Sequence, residues 1–358
     1  MPRIAAHTRQ ELHHVLEHYG IRASNLHDIR SGRVNKHWRV ESGADRYVLR
    51  RYNPHRSPDA IQYEHDVLRH MKRKGWPVAV PLRAEDGSTI VCEDKSPDAW
   101  ASAYSLFPFL PGRPGPEHSQ RYLRIKGGVL ARLHRDLAAL ASKGQRDGFG
   151  RLSDLDAYVP SFPASQKNAQ RSSKPGRSLT TFDAVLDEYA KEQPRLAEQI
   201  RAERKRNLDE LARLGYKSFP DTLVHGDFHT ENIFFQRGRL TAILDFDLVH
   251  VDTRIADLAL AIVGDCAEPP AYTAIDPVSV KALVAAYHTE SPLSDPEFSL
   301  IVPMMRTYYV WLCSFSVFRW LDGHPKGALG PTRTIDQRLP NLKARAAAIE
   351  SALRHATA

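Results

Sequence analysis

A chain of 358 residues, 42% hydrophobic and 26% charged, is long enough to bury a sizeable core and reads as an ordinary folded protein of two domains, not a disordered or fibrous one. No apolar run approaches the ~18 residues that a membrane span needs, and the N-terminus turns polar by His7 and Thr8, too soon for a secretory signal, so a cytoplasmic protein is expected. The formal net charge of +8 suits an anionic partner, whether nucleotide phosphates, an acidic metabolite or nucleic acid, without choosing among them.

The clearest basic runs, 69–74 and 201–206, lie in helical patterns and read as solvated faces. The interleaving of aromatic and basic residues that single-strand binders use is absent. Cys92, Cys266 and Cys313 are an odd, widely spaced set without metal-ligand spacing, which reads as reduced, buried thiols.

From the N-terminus, Thr8 with Glu11 three positions on and a stop at Gly20 predicts a short amphipathic helix over 8–20. Strands are predicted at 26–30, 36–41 and 46–52, where Trp38, Val40, Tyr47 and Leu49 alternate with polar positions and Gly32 and Gly43 mark turns. That is an antiparallel meander. Its first loop, Ser31-Gly32-Arg33-Val34-Asn35-Lys36-His37, could fold backbone N–H groups over phosphates, although an ordinary hairpin turn has the same pattern. Alternation along the third strand sets Arg50 opposite in direction to Leu49 and Arg51, so one arginine alone can face inward.

Ser57-Pro58-Asp59 opens a helix over 57–75 with Ile61, Glu64, His65, Val67, Leu68 and Met71 at helical spacing. Glu64 lies near the apolar side, and a carboxylate buried there needs a cation as partner. Residues 77–81 read as extended and 89–92 and 100–110 as strands. The Pro- and Gly-rich run 108–116 then reads as a hinge between a first domain, 1–107, and a second, 117–358.

The second domain opens with an amphipathic helix over 121–140, in which His134 sits beside the Leu123, Val129, Leu130, Leu133, Leu137 stripe as a packed histidine. Residues 144–180, rich in Gly, Ser, Pro, Lys and Arg, suit a lid or specificity element. Helix returns over 182–214, in two segments parted at Pro194. A loop into a helix is expected over 250–261, and helices over 278–290, 295–322 and 336–355. In the 295–322 helix, Tyr308, Trp311, Phe315, Phe318 and Trp320 are read as packing first and pocket wall second.

Between these helices stand His225-Gly226-Asp227-Phe228-His229-Thr230-Glu231-Asn232 and Asp245-Phe246-Asp247, each at the end of an apolar strand-like run. Transfer of a γ-phosphoryl group asks for a carboxylate at the acceptor hydroxyl, divalent cations on the phosphates and a cation or backbone cradle for the remaining charge. Carboxylate and amide oxygens are the hard ligands that Mg²⁺ takes. Asp227 is therefore read as the base, and Asn232 and Asp245 as the metal ligands.

His225-Gly226-Asp227-x-x-x-x-Asn232 followed by Asp245-Phe246-Asp247 resembles the catalytic loop and metal-binding segment of the aminoglycoside phosphotransferase and choline kinase-like superfamily, which includes type II homoserine kinases and stress-response kinases. The resemblance implies an α+β, bilobal protein-kinase-like fold with a small antiparallel-sheet N-lobe for nucleotide and a larger, mainly helical C-lobe. It implies ATP and Mg²⁺ as cofactors. It also places Arg50 where the family has its phosphate-contacting lysine and Glu64 where it has the paired helix glutamate. Phe107 and Phe109 fall in the hinge, Gly32 and Asn35 in a reduced phosphate loop, and Asp257 as a carboxylate bracing the catalytic loop. The chain departs from the family in lacking a multi-glycine loop and in carrying arginine for lysine at position 50.

The implied activity is phosphorylation of a small-molecule hydroxyl, with an amino acid or amino alcohol such as homoserine ranked first. A polycationic aminoglycoside would prefer an acidic pocket, which only Asp247, Asp252 and Asp265 offer locally. A stress-response-type serine/threonine protein kinase and a catalytically weak nucleotide-binding regulator stay open. No nucleic acid or membrane partner is expected, and the oligomeric state is open.

Overall fold

The computed structural model describes residues 4–29, 34–54, 56–93, 103–161, 179–321, 323 and 329–356. The chain forms two compact units, Met1–Arg113 with Phe234–Leu244, and Pro114–Ile233 with Asp245–Ala358. The expected second domain, 117–358, is thus interrupted by a hairpin that clusters with the first unit.

In the first unit, β1 (Asn25–Ile29), β2 (Lys36–Ser42) and β3 (Asp45–Arg51) form the predicted meander, and β5 (Ala103–Pro108) and the two-residue β4 (Val91–Cys92) complete an antiparallel sheet in the order β1-β2-β3-β5-β4. Register explains its two faces. Leu49 pairs with Trp38 on one side and Leu106 on the other, and this apolar row packs against Leu12, Val15 and Leu16 of α1 (Ala6–Glu17). Arg50, one position along, points to the other face, where α2 (Pro58–Arg73) supplies Glu64. Ser57 caps α2, its hydroxyl accepting from the Ala60 N–H at 3.2 Å.

Two boundaries differ from the sequence reading. The helix α1 begins at Ala6 and not at Thr8, because Glu11 is drawn away from a capping box to the Tyr104 hydroxyl and to Arg51 at 3.7 Å. Strand β5 runs to Pro108, so Phe107 is a buried strand residue facing Val48 in register, not part of a hinge. The start of that predicted strand, 100–102, lies outside the described residues.

Past β5, β6 (Arg113–Pro114) joins the hairpin formed by β8 (Ile233–Gln236) and β9 (Arg239–Ile243) in a three-stranded sheet ordered β6-β8-β9. The Ile243 N–H donates to the Pro77 carbonyl at 3.0 Å. Those pairings tie the hairpin to the first unit, and pairing between segments so far apart in the chain leaves no periodic signal.

The second unit is mainly helical. It contains α3 (Gln120–Ala138), α4 (Phe182–Ala190), α5 (Pro194–Arg213), α6 (Arg254–Asp265), α7 (Pro277–Glu290), α8 (Asp295–Leu321) and α9 (Leu339–Arg354). The break between α4 and α5 falls at Pro194 as predicted. A short antiparallel pair, β7 (Thr222–Val224) and β10 (His250–Asp252), lies among the helices. Strand β10 replaces part of a predicted loop; its three residues are all buried and too few to show alternation. Of the 144–180 segment, residues 162–178 lie outside the described residues.

Contrary to the composition reading, α8 is long and apolar enough to cross a membrane, but 67% of its most apolar window is buried inside the molecule, as in the central helix of a packed domain. Cys266 and Cys313 are buried free thiols as expected, while Cys92 is half-buried.

Helices α3 and α7 approach closely because α3 carries Gly127: a Cβ there would lie 2.1 Å from the Leu283 carbonyl oxygen, whereas at Gly128 it would meet nothing nearer than Arg132 Nη1 at 3.4 Å. Gly127→Ala is therefore expected to destabilise the protein by about 1–3 kcal/mol through overpacking. Gly128→Ala should stabilise it by roughly 0.5–1 kcal/mol through helix propensity. Urea denaturation of the two variants checks the opposite signs.

Candidate active site

Strand β7 is wholly buried and leads directly into His225, also buried. Gly226 follows at φ +79°, and a Cβ on it would lie 2.2 Å from the Leu248 carbonyl oxygen, so both its backbone conformation and its surroundings require glycine. The turn is held from beneath by Asp257, in the first turn of α6. The Asp257 carboxylate accepts the His225 N–H at 2.7 Å and the Gly226 N–H at 2.9 Å. It also meets His134 Nε2 at 3.1 Å, and His134 Nδ1 meets the Tyr287 hydroxyl at 2.8 Å. Burial pushes the Asp257 carboxyl up. The His134 hydrogen bond, the charges of His134 and His225 and the Gly226 N–H outweigh that and hold it below the usual carboxylate range.

Above this brace, Asp227 and Asn232 converge. The Asn232 amide Nδ2 donates to the Asp227 backbone carbonyl at 2.9 Å and lies 3.0 Å from its Oδ2. His229, half-buried, brings Nε2 to 3.4 Å from Asp227 Oδ1. Burial lowers the His229 pKa, but the hydrogen bond and charge of Asp227, with the charges of Asp265 and Glu231, outweigh it and leave the pKa raised above the ordinary value. Asp245 leaves β9 in the left-handed region at φ +60°, a conformation that Asp and Asn tolerate better than other side chains.

Several residues that pattern reading did not single out position this loop. Lys126 Nζ lies 2.6 Å from Asp265 Oδ2, while Asp265 Oδ1 accepts the Thr230 N–H at 2.9 Å. Arg146, buried with its guanidinium 4.5 Å from the Phe149 ring, donates to the Asp247 carbonyl at 2.6 Å. Asp252 accepts from the Leu152 N–H at 2.7 Å and from the Tyr216 hydroxyl at 2.5 Å. Asp265 and Asp252 are therefore engaged within the protein, and the buried Asp247 lies with them inside; the local acidity they were expected to lend a substrate pocket is not at the surface. A lone Lys or Arg in a helical or loop pattern carries no signal of such a partner.

In the first unit, Arg50 Nη1 donates to Glu64 Oε1 at 2.7 Å and Nε to His37 Nε2 at 3.2 Å. Its guanidinium carbon lies 5.0 Å from the Phe107 ring centroid and 5.7 Å from that of Tyr52. Glu64 is fully buried, so it has the cation that its position demanded. Asn35 is buried with its amide carbonyl accepting the Asn53 N–H at 2.9 Å, which fixes the loop to the chain after β3. Phe109 stacks under Arg46 at 4.9 Å. Gly32 lies outside the described residues.

A small cleft of the second unit is walled by Phe149, Tyr158, His250, Tyr308 and Trp311 and reaches Gly226 of the loop. Tyr308, Trp311 and Phe315 are half-buried and stacked, with centroids 6.0 and 5.5 Å apart. The aromatic helix α8 thus divides its roles: Phe318 packs on Phe182 in the core, while Tyr308 and Trp311 are wall first.

The family model described as the phosphotransferase enzyme family matches residues 25–297. The homoserine kinase of Caulobacter vibrioides (strain NA1000 / CB15N) is 27% identical over 294 residues, covering 81% of this chain and 80% of that protein. The homoserine kinase of Rhodospirillum rubrum is 24% identical over 317 residues, covering 88% and 87%. Among solved structures, an amicoumacin kinase in complex with AMP-PNP, Ca²⁺ and Ami has a TM-score of 0.65 at 15% identity, with 92% of each chain covered. A microcompartment-associated aminopropanol kinase has a TM-score of 0.62 at 18% identity, with 98% of this chain and 100% of that one covered.

Two outcomes test the bracing of the loop. Asp257→Asn removes the charge that faces His134 and is expected to cost about 3–5 kcal/mol in chemical denaturation. Asp227–His229 behaves oppositely with pH. A raised imidazole pKa adds stability that is fully present below about pH 6.5 and is lost as pH rises through the folded value. The stability difference between wild type and His229→Gln, roughly 0.5–1 kcal/mol in acid, should therefore vanish on the alkaline side; denaturation at several pH values measures it.

Proposed function

Since the chain belongs to the phosphotransferase enzyme family, we propose that it carries the γ-phosphoryl group of ATP to the hydroxyl of a small amino acid or amino alcohol, homoserine foremost. It is a kinase of protein-kinase-like fold with a small-molecule acceptor. In the proposed assignment Asp227 is the base, Asn232 and Asp245 hold Mg²⁺, and Arg50 meets nucleotide phosphates in the first unit.

The observation that carries the assignment is the pair of Asn232 Nδ2 contacts to Asp227, at 2.9 Å and 3.0 Å. With its amide nitrogen committed there, Asn232 offers a cation its amide oxygen, and Asp245 offers carboxylate oxygens. That all-oxygen donor set fits Mg²⁺ and not a softer ion. When bound, Mg²⁺ neutralises charge on the transferring phosphoryl group.

The protein's own contribution is positional. Asp227 accepts the acceptor hydroxyl's proton as the new O–P bond forms and the bond from the γ-phosphorus to the bridging oxygen breaks, leaving ADP. Asn232 keeps the Asp227 carboxylate in one orientation, and His229 Nε2 lies 3.4 Å from its Oδ1.

Two further observations support a small amino-bearing acceptor. Two relatives that match four fifths or more of the chain, those of Caulobacter vibrioides and Rhodospirillum rubrum, are named homoserine kinases. The cleft that reaches Gly226 is lined by Tyr158, Tyr308 and Trp311, aromatic rings of the kind that attract an ammonium group through cation–π interaction. The charge of a polycation has no counterpart there, because Asp252 and Asp265 are engaged inside.

An ADP-release screen over homoserine, amino alcohols, sugars, aminoglycosides and a protein substrate should give its highest kcat/KM with homoserine or an amino alcohol. Asp227→Asn should lower kcat by about 10²–10⁴ with nucleotide affinity retained; unchanged turnover would remove Asp227 from the chemistry. Asp245→Asn keeps a side chain suited to positive φ, so loss of the Mg·ATP thermal shift in that variant reports the ligand and not backbone strain.

A further inference from the structure

On the outer side of α1 the sequence reads His14-Val15-Leu16-Glu17-His18. Val15 and Leu16 are buried in the first unit's core, which turns His14 and His18, one helical turn apart, onto a shared outward face. Glu93, just after β4, meets both rings: His14 Nε2 lies 3.6 Å from its Oε2 and His18 Nε2 lies 3.9 Å from its Oε1. The three donor groups offer atoms all within 4.8 Å of one another.

These contacts are too long for hydrogen bonds. They are close to the spacing of two ligands on one ion, since zinc bonds of ~2.0–2.2 Å in a tetrahedral site separate neighbouring donors by about 3.3–3.5 Å. The tautomer sharpens the point. His14 Nδ1 lies 3.3 Å from Glu17 Oε2; with the Nδ1 proton directed at Glu17, Nε2 is the ring atom left to bind a cation on the side of Glu93. Glu93 Oε1 is itself shielded from solvent and has no hydrogen-bond partner among the described residues.

We propose that His14, His18 and Glu93 form a zinc-binding site, with Glu17 as the carboxylate that orients His14 and a fourth position open to water. Two imidazoles and one carboxylate select zinc and its transition-metal neighbours over Mg²⁺, so the ion is chemically separate from the one assigned to phosphoryl transfer. The site stands at the C-terminal end of α1, where the helix dipole favours a cation. Bound zinc ties α1 to the chain beyond β4.

The test uses the full-length protein, stripped with a chelator, dialysed and titrated with zinc chloride against a chromogenic zinc chelator. Wild type should retain one equivalent of zinc, and its thermal unfolding should shift upward with zinc. His14→Ala and His18→Ala should each abolish the equivalent and the shift, and Glu93→Gln and Glu17→Gln should each weaken binding about tenfold or more. All four positions lie off the core, so metal-free melting should match wild type. The proposal is overturned if stripped wild type holds no zinc, or if the histidine variants hold as much as wild type.

Discussion

The carboxylate of Asp257 is the constraint on which the second unit's chemistry depends. One buried charge accepts two successive backbone N–H groups, from His225 and Gly226, and a third hydrogen bond from His134. A turn that departs from a strand at positive φ has amides that no sheet or helix can satisfy, and leaving such groups unpaired in the interior costs about as much as a lost hydrogen bond each. Placing the acceptor in the first turn of α6 answers that need and adds the favourable end of the helix dipole. The His134 ring then carries the same network to Tyr287, so α3, α6, α7 and β7 are registered on one side chain.

Around that centre the unit repeats the device with other charges. Lys126 and Asp265 fix Thr230, three residues beyond Asp227 and two before Asn232, and Arg146 holds the carbonyl of Asp247, two residues past Asp245. Buried ion pairs contribute little net stability, because desolvation offsets most of their attraction. Their effect here is positional: each acts on the backbone beside a residue assigned to chemistry, and none is itself assigned to it. Rigid support of this kind lets a short loop present Asp227 and Asn232 in one fixed relation.

The parts legible in the sequence were those written locally. Alternation of Trp38, Val40 and Leu49 set the meander, Ser57-Pro58 set the start of α2, and Pro194 set the break between α4 and α5. The spacing from Asp227 to Asn232 was legible because both lie on one tight loop. What escaped was long-range. The hairpin of β8 and β9 belongs with the first unit through pairing that no periodicity records, β10 is three residues long, and Thr8 lost its capping role once Glu11 turned to Tyr104. Lys126 and Arg146 were illegible for the same reason, since a buried cation shows itself only through a partner far along the chain.

Arginine at position 50 follows from its surroundings more than from its charge alone. A lysine could meet Glu64, but it offers one nitrogen on a flexible stem. The Arg50 guanidinium reaches Glu64 through Nη1 and His37 through Nε, and its flat face lies against Phe107. Phe107 can serve as that face only because β5 continues through it, in register with Val48, and does not open into a hinge one residue earlier. His65 closes the other side, edge-on to Phe107 at 6.1 Å and bonded to the Tyr52 hydroxyl at 2.9 Å. The strand that carries Phe107 within it and the arginine that replaces lysine are therefore one structural solution: an aromatic wall selects a planar cation, and the planar cation neutralises a fully buried glutamate.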